Sequence, residues 1–214
     1  MTVRYEDNHI IIVDKDSSEI VQGDKTGDRP LSETVKQYIK EAYAKPGEVF
    51  LGVVHRLDRP VSGLVVFART SKALSRLNKM FQEGQVHKTY RAMVKEQPPK
   101  DEDELTHWLV RNEKQNKSYA YDHEVPNSKK AILHYRVIEK LDNYYLLEID
   151  LKTGRHHQIR CQLAKIGCPI KGDLKYGAKR SNPDGSISLQ SYSINFIHPV
   201  SKKNIDVVSE KSLY

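Results

Sequence analysis

Apolar residues fall along this chain in short blocks whose spacing separates strands from helices. His9 to Asp14 (HIIIVD) is a continuous apolar run of strand length, which predicts a strand buried on both faces. Val49 to Val54 and Gly63 to Ala68 (GLVVFA) predict two more central strands, and residues 87–95 another. Leu31, Val35, Tyr38, Ile39 and Ala42 share one helical face, with Ser32 as N-cap and a stop before Pro46-Gly47. A second helix is expected from Ser71 to Glu83, turning Leu74, Leu77, Met80 and Phe81 inward and closing at Gly84. Pro98 to Glu104 is a polar, acidic loop. Ala131 to Leu141 and Tyr144 to Leu151 form a hairpin joined at Asp142-Asn143. A third helix starts near His156, carries Ile159, Leu163 and Ile166 inward and ends at Gly167. After a loop over 177–186, Leu189 to Phe196 and Ile205 to Val208 are late strands. About nine strands and three helices with hairpin connections predict an α+β protein built on a mixed sheet.

At a prior of about 150 residues per domain, 214 residues make one large or two small domains. No repeat, long linker or low-complexity tract marks a division, so a single domain over 1–214 is expected. Apolar residues at 38 % and charged residues at 29 % exclude a disordered or fibrous chain. No apolar run approaches the roughly 20 residues that span a bilayer. Met1 to Asn8 has no apolar signal core. Cys161 and Cys168 form no disulfide framework, so a reducing cytoplasm is the expected location.

Charge changes this picture. The net formal charge is +7, and its distribution is uneven. Residues 51–100 carry ten basic and three acidic side chains, and residues 151–180 carry eight and one. The stretches 1–50 and 101–150 are net acidic. Two basic blocks folded together would make the footprint of a polyanion-binding face, against the ordinary alternative of scattered solubility charges. Twelve tyrosines add faces on which unstacked bases could lie, although most tyrosines in a chain of this kind serve packing.

Three segments carry candidate chemistry. Asp58 sits in His55-Arg56-Leu57-Asp58-Arg59-Pro60, a polar interruption between two apolar strands. Flanking arginines keep such a carboxylate ionised and make a poor site for a divalent cation, which leaves a structural ion pair or a catalytic carboxylate. Pro60, Ser62 and Gly63 suggest a fixed turn after it. Thr153-Gly154-Arg155-His156-His157-Gln158-Ile159-Arg160 places cations at the positive end of a helix, where they gain nothing unless an anion sits opposite. His156-His157 makes a weak zinc pair, because no cysteine or carboxylate cluster completes a tetrahedral set. Tyr90, in Lys88-Thr89-Tyr90-Arg91-Ala92, would alternate across a sheet, where packing is the commoner role.

Together, His55-Arg56-Leu57-Asp58 with Ser62-Gly63, then Lys88 to Ala92, then Thr153 to Arg160, resemble the RluA-type family of RNA pseudouridine synthases. Gly172-Asp173, Tyr176-Gly177 and Phe196 to Pro199 match later landmarks of that family, so the resemblance runs from about Asp7 to Val208. It implies a single, largely antiparallel mixed-sheet domain around a central cleft. It further implies isomerisation of uridine to pseudouridine in ribosomal or transfer RNA, with no metal and no organic cofactor. By that resemblance Asp58 is the catalytic aspartate, Tyr90 the tyrosine that stacks on the base and aids proton transfer, and Arg155 the arginine paired with the aspartate. Arg56 is the arginine that fills the gap left by the flipped uridine, and Arg59, His157, Gln158 and Arg160 are further RNA contacts. A monomer, away from membranes, is expected to act on an RNA stem-loop. Three departures stand out: no small RNA-binding domain precedes the first strand, Asp16 replaces the usual proline after Lys15, and Gln190 replaces the usual histidine.

The residue types suit this reaction. The target nucleotide must leave the helical stack before its atoms can be reached. Cleaving the bond from sugar to base builds positive charge on the sugar, which a carboxylate stabilises or attacks. Arginine holds a carboxylate through a fork that lysine cannot reproduce. Two rivals are a non-catalytic, ribosome-associated RNA-binding protein and a glycosylase. The first leaves the carboxylate among arginines unexplained, and the second needs a second carboxylate that these motifs lack.

Overall fold

The computed structural model describes residues 1–213 and divides them into two compact units. One comprises Met1–His87 with Ser191–Lys211, and the other centres on Lys88–Gln190.

In the first unit, β1 (Thr2–Glu6) runs antiparallel to β2 (Ile10–Lys15), and β2 runs antiparallel to β4 (Ser62–Ala68). A two-residue strand, β3 (Gly52–Val53), pairs with the end of β4, and β10 (Leu189–Ile197) pairs through its later residues with β11 (Asn204–Val208). Every residue of β2 is buried, as the unbroken apolar run requires of a central strand. On one face Ile10, Ile12, Leu64, Val66, Ile194, Phe196, Ile205 and Val207 form a core that receives Ala73 and Leu77 of α2 (Ser71–Gln82). Thr70 caps α2 by accepting from the Ala73 N–H at 3.1 Å. The other helix, α1, spans Leu31–Ala42 and buries Leu31, Val35 and Ile39. It starts at Leu31 with Pro30 at the cap position, ahead of the expected Ser32, whose side chain is buried within the first turn.

In the second unit the strand order is β5–β9–β8–β6–β7, with every neighbouring pair antiparallel. These strands are β5 (His87–Val94), β6 (Glu102–Asn112), β7 (Lys117–Tyr121), β8 (Lys129–Lys140) and β9 (Tyr145–Leu151). The helix α3 (Gln158–Lys165) buries six consecutive residues, from Gln158 to Leu163. An eight-residue helix is too short to hold itself by propensity, so tertiary bonds must fix it. Gln162 supplies some of them, its Nε2 donating to the carbonyls of Leu105 (3.2 Å) and Ala131 (3.3 Å). A short 3₁₀ turn, Leu174–Tyr176, brings Tyr176 into a cluster with Leu109, Ala131 and Cys161.

The α+β class with largely antiparallel strands is therefore found, with eleven strands and three α-helices among the described residues. The strand expected over Val49 to Val54 shrinks to the two residues that find partners on β4. The third helix begins at Gln158, two residues after the expected start, because His157 takes a left-handed backbone with φ 52°. Arg155 and His156 thus stand directly ahead of the cap residue, outside the helix itself.

Candidate active site

The segment from His55 to Val61 crosses between β3 and β4 and is tied down at both ends. His55 Nε2 accepts from the Val66 N–H at 2.9 Å, and its ring stacks on Phe81 at 4.9 Å between centroids. Leu57 and Val61 are buried, and the Val61 N–H donates to the Asp58 carbonyl at 3.0 Å, closing a tight turn. Gly63 has φ 108°, and any Cβ there would run into the Ser191 carbonyl oxygen, so only glycine lets β4 start at this point. Asp58 lies half-buried on this braced loop.

A buried cation holds the loop from beneath. Lys15 is fully buried, and its Nζ donates to the carbonyls of Asp16 (2.9 Å), Glu19 (2.7 Å) and Arg59 (3.1 Å). Burial pushes its pKa down to about 8, against the attraction of Glu19, Asp58 and Asp16. The Arg59 carbonyl also accepts from the Ser18 N–H at 2.9 Å, so the residue after Asp58 is fixed from two sides.

The two arginines flanking Asp58 part company. Arg59 turns to an acidic loop, with Nη1 donating to Asp28 Oδ2 (2.8 Å) and Ser18 O (3.2 Å), and Nη2 to Thr26 Oγ1 (3.0 Å). Arg56 is exposed and forms no hydrogen bond or ion pair among the described residues. Asp16 donates its N–H to Glu19 Oε2 at 2.8 Å, a bond a proline could not make, and its carboxylate is paired with Lys211 and the N-terminal amine.

The second unit holds the other two motifs. Tyr90 lies on β5 opposite Ile149 and is buried, with Thr89 and Arg91 alternating beside it as expected. Before α3, the Gln158 side chain acts as a clamp. Its Oε1 accepts from the Arg155 N–H (2.9 Å) and the Thr153 hydroxyl (2.8 Å), while its Nε2 donates to the Ile132 carbonyl (3.1 Å). Thr153 Oγ1 in turn accepts from the Ile132 N–H at 2.9 Å. The turn is thus sewn to β8, and Arg155 stands exposed on it with Nε donating to the Lys130 carbonyl at 2.9 Å.

Behind that turn lies a buried polar network. Arg160 makes a fork to Asp173, Nε to Oδ2 at 2.7 Å and Nη2 to Oδ1 at 2.9 Å, with both side chains almost fully buried. Its Nη1 lies 3.1 Å from His157 Nε2, and since arginine only donates, that nitrogen accepts. His157 is therefore the Nδ1–H tautomer, donating to Tyr176 Oη at 2.9 Å, which also accepts from the Ser118 N–H at 2.8 Å. Burial and the adjacent Arg160 charge push the His157 pKa down to about 2. His157, Gln158 and Arg160, expected as RNA contacts, thus direct these groups into the protein interior. Sequence reading missed the holding roles of Lys15, Thr153 and Gln158. For Lys15 the signal is a lysine that directly continues the buried apolar run of β2.

Among the described residues, no group of three or more histidine, cysteine, aspartate or glutamate side chains is arranged to hold a metal ion. Residues 9–165, which contain Asp58, Tyr90 and Arg155, match the RNA pseudouridylate synthase family. An uncharacterized RNA pseudouridine synthase of Chloroflexus aurantiacus is 38 % identical over 154 residues, 72 % of this chain and 48 % of that protein. The ribosomal large subunit pseudouridine synthase D of Zymomonas mobilis is 29 % identical over 98 % of this chain and 69 % of its own length. The chain therefore spans about half the length of the first relative and about two thirds of the second. Human RNA Pseudouridylate Synthase Domain Containing 4 superposes with a TM-score of 0.81 at 20 % identity, over 99 % of this chain and 88 % of that one, which shows the shared fold. With its family match running through all three motifs, the chain belongs to the RNA pseudouridylate synthase family.

Proposed function

We propose that this chain isomerises uridine to pseudouridine in structured ribosomal or transfer RNA. The observation that carries the reading is a half-buried carboxylate, Asp58, on a loop fixed by buried Lys15 and a glycine-only turn, within the stretch that matches the family. Relatives named as ribosomal large subunit pseudouridine synthases favour ribosomal RNA. That the match runs through residues of both compact units supports reading them as one catalytic domain. We read the enzyme as a cytoplasmic monomer.

The uridine leaves the stack, at a cost of a few kcal/mol, and Arg56, exposed with no partner among the described residues, enters the vacated space. The bond from C1′ to N1 breaks while Asp58 stabilises the sugar cation or bonds to it. The uracil turns, C5 bonds to C1′, the C5 proton leaves and N1 gains one, so mass is conserved. By the resemblance of their motifs, Tyr90 is the residue that walls the base and aids the C5 proton transfer, and Arg155 is the arginine assigned to the carboxylate. Gln158, His157 and Arg160 act as positioning residues, through the turn that carries Arg155.

Incubating unmodified large-subunit ribosomal RNA with the protein and digesting it to nucleosides tests this. A uridine isomer of unchanged mass that resists glycosidic cleavage is expected. Free uracil would replace the proposal with a glycosylase, and unaltered nucleosides would replace it with a passive RNA binder.

A further inference from the structure

The second unit carries a basic cavity that none of the three motifs uses. It is an open hollow of about 400 Å³ lined by Lys95, Lys171, Lys179 and Arg180, with Glu96 the one acidic side chain on its wall. None of the four cations forms an ion pair among the described residues, although ion pairs hold many other cations of this chain. Unneutralised cations gathered in one hollow focus a positive field on whatever enters it.

The floor is built before any ligand arrives. The Lys171 N–H donates to the Met93 carbonyl, the Met93 N–H to the Ser188 carbonyl and the Ser188 N–H to the Lys171 carbonyl, at 2.8–2.9 Å. Gly172, at φ 89°, lets the chain pass so close that a Cβ would lie 2.6 Å from the Ser186 carbonyl oxygen. The loop above is braced by Asn182, whose Nδ2 donates to Ser186 Oγ (3.2 Å) and Ser188 Oγ (3.3 Å). The Lys171 ammonium sits over the Tyr144 ring at 4.8 Å, holding one aromatic wall in place.

We infer that this cavity binds the phosphodiester backbone of the substrate RNA at nucleotides flanking the modified uridine. Lys95 follows β5 five residues beyond Tyr90, about 16 Å along an extended chain. That is too far for the flipped base and within reach of neighbouring phosphates. The lining offers chiefly positive charge, which phosphates take up, and the nitrogen of its only side-chain amide, Asn182, is engaged in bracing the loop. The cavity therefore supplies affinity and register without sequence choice. The inference rests on the proposed action of this chain on RNA.

The test measures binding to unmodified large-subunit ribosomal RNA over a series of salt concentrations, with kcat and KM for pseudouridine formation. The Lys179→Gln/Arg180→Gln variant is compared with Lys25→Gln/Lys203→Gln, which removes the same charge from exposed positions elsewhere. Each lost phosphate contact should lower the slope of log affinity against log salt by about 0.7–0.9. The cavity variant should lose one to two such contacts, raise KM about tenfold and keep kcat, and Lys95→Gln should move in the same direction. Slopes and KM equal to those of the control pair would overturn the inference. If the wild type makes no pseudouridine yet the cavity variant still loses slope, the proposed activity fails and only the contact of the cavity with the RNA backbone stands. If the wild type is active and the slopes coincide, the cavity alone fails.

Discussion

The loop that carries Asp58 and the turn that carries Arg155 solve one problem in opposite ways. Each must present a charged side chain on irregular backbone. The Asp58 loop is held through its main chain, with a buried lysine gripping three carbonyls and a glycine admitting close contact. The Arg155 turn is held through side chains, with Gln158 and Thr153 sewing it to β8 above the buried fork of Arg160 and Asp173. Equal charge in sequence thus hides unequal availability. Arg59 and Arg160 are committed within the protein, whereas Arg56 and Arg155 are exposed.

This contrast can be broken from either side. The largest stability effect is expected at the buried fork. Arg160→Met leaves the Asp173 carboxylate buried without its fork, and should cost about 3–5 kcal/mol in urea unfolding. Gln158→Ala removes one side chain with three bonds and should cost about 1–3 kcal/mol, with a fall in kcat larger than any change in RNA affinity. If RNA affinity falls and kcat holds, Gln158 is an RNA contact and not a clamp.

Acid sensitivity should map to the same turn. His157 is neutral when folded, with its pKa near 2, and takes a proton near 6.5 when unfolded. Between those values the unfolded state binds the extra proton. The stability this residue contributes is therefore complete above pH 6.5 and is lost as pH falls, at up to about 1.4 kcal/mol per pH unit. His157→Asn tolerates the left-handed backbone, and should flatten the stability profile between pH 4 and 6.5 by one proton's slope. Parallel profiles would show that His157 takes up a proton in the fold as readily as in the unfolded chain. The smallest effect is expected at Arg59→Gln, where partly exposed ion pairs to Asp24 and Asp28 should be worth less than about 1 kcal/mol in thermal unfolding.

Much of the scaffold was legible because burial left a plain pattern. The runs in β2 and β4, the inward face of α2 and the β8–β9 hairpin lie within a residue or two of their expected places. Missing from the reading were β1, β6 and β7. In β6 the buried alternation of Leu105, His107 and Leu109 is broken by a histidine and preceded by four acidic residues that read as loop. β1 is only partly buried and shifts register between Val3 and Tyr5, so it has no clean period. At the site, residue types marked candidate groups. They could not announce direction, since Arg56 and Arg59 look alike in sequence and separate only once the Asp24–Asp28 loop folds against one of them.

The account rests on Asp58, and release of tritium from RNA labelled at uridine C5 follows the bond its chemistry would permit. Wild-type protein should release one tritium per pseudouridine formed. Asp58→Asn should bind the same RNA within a few-fold and release tritium about 10³-fold more slowly or not at all, the scale of losing an essential catalytic group. Release by Asp58→Asn at a rate close to wild type would contradict the account.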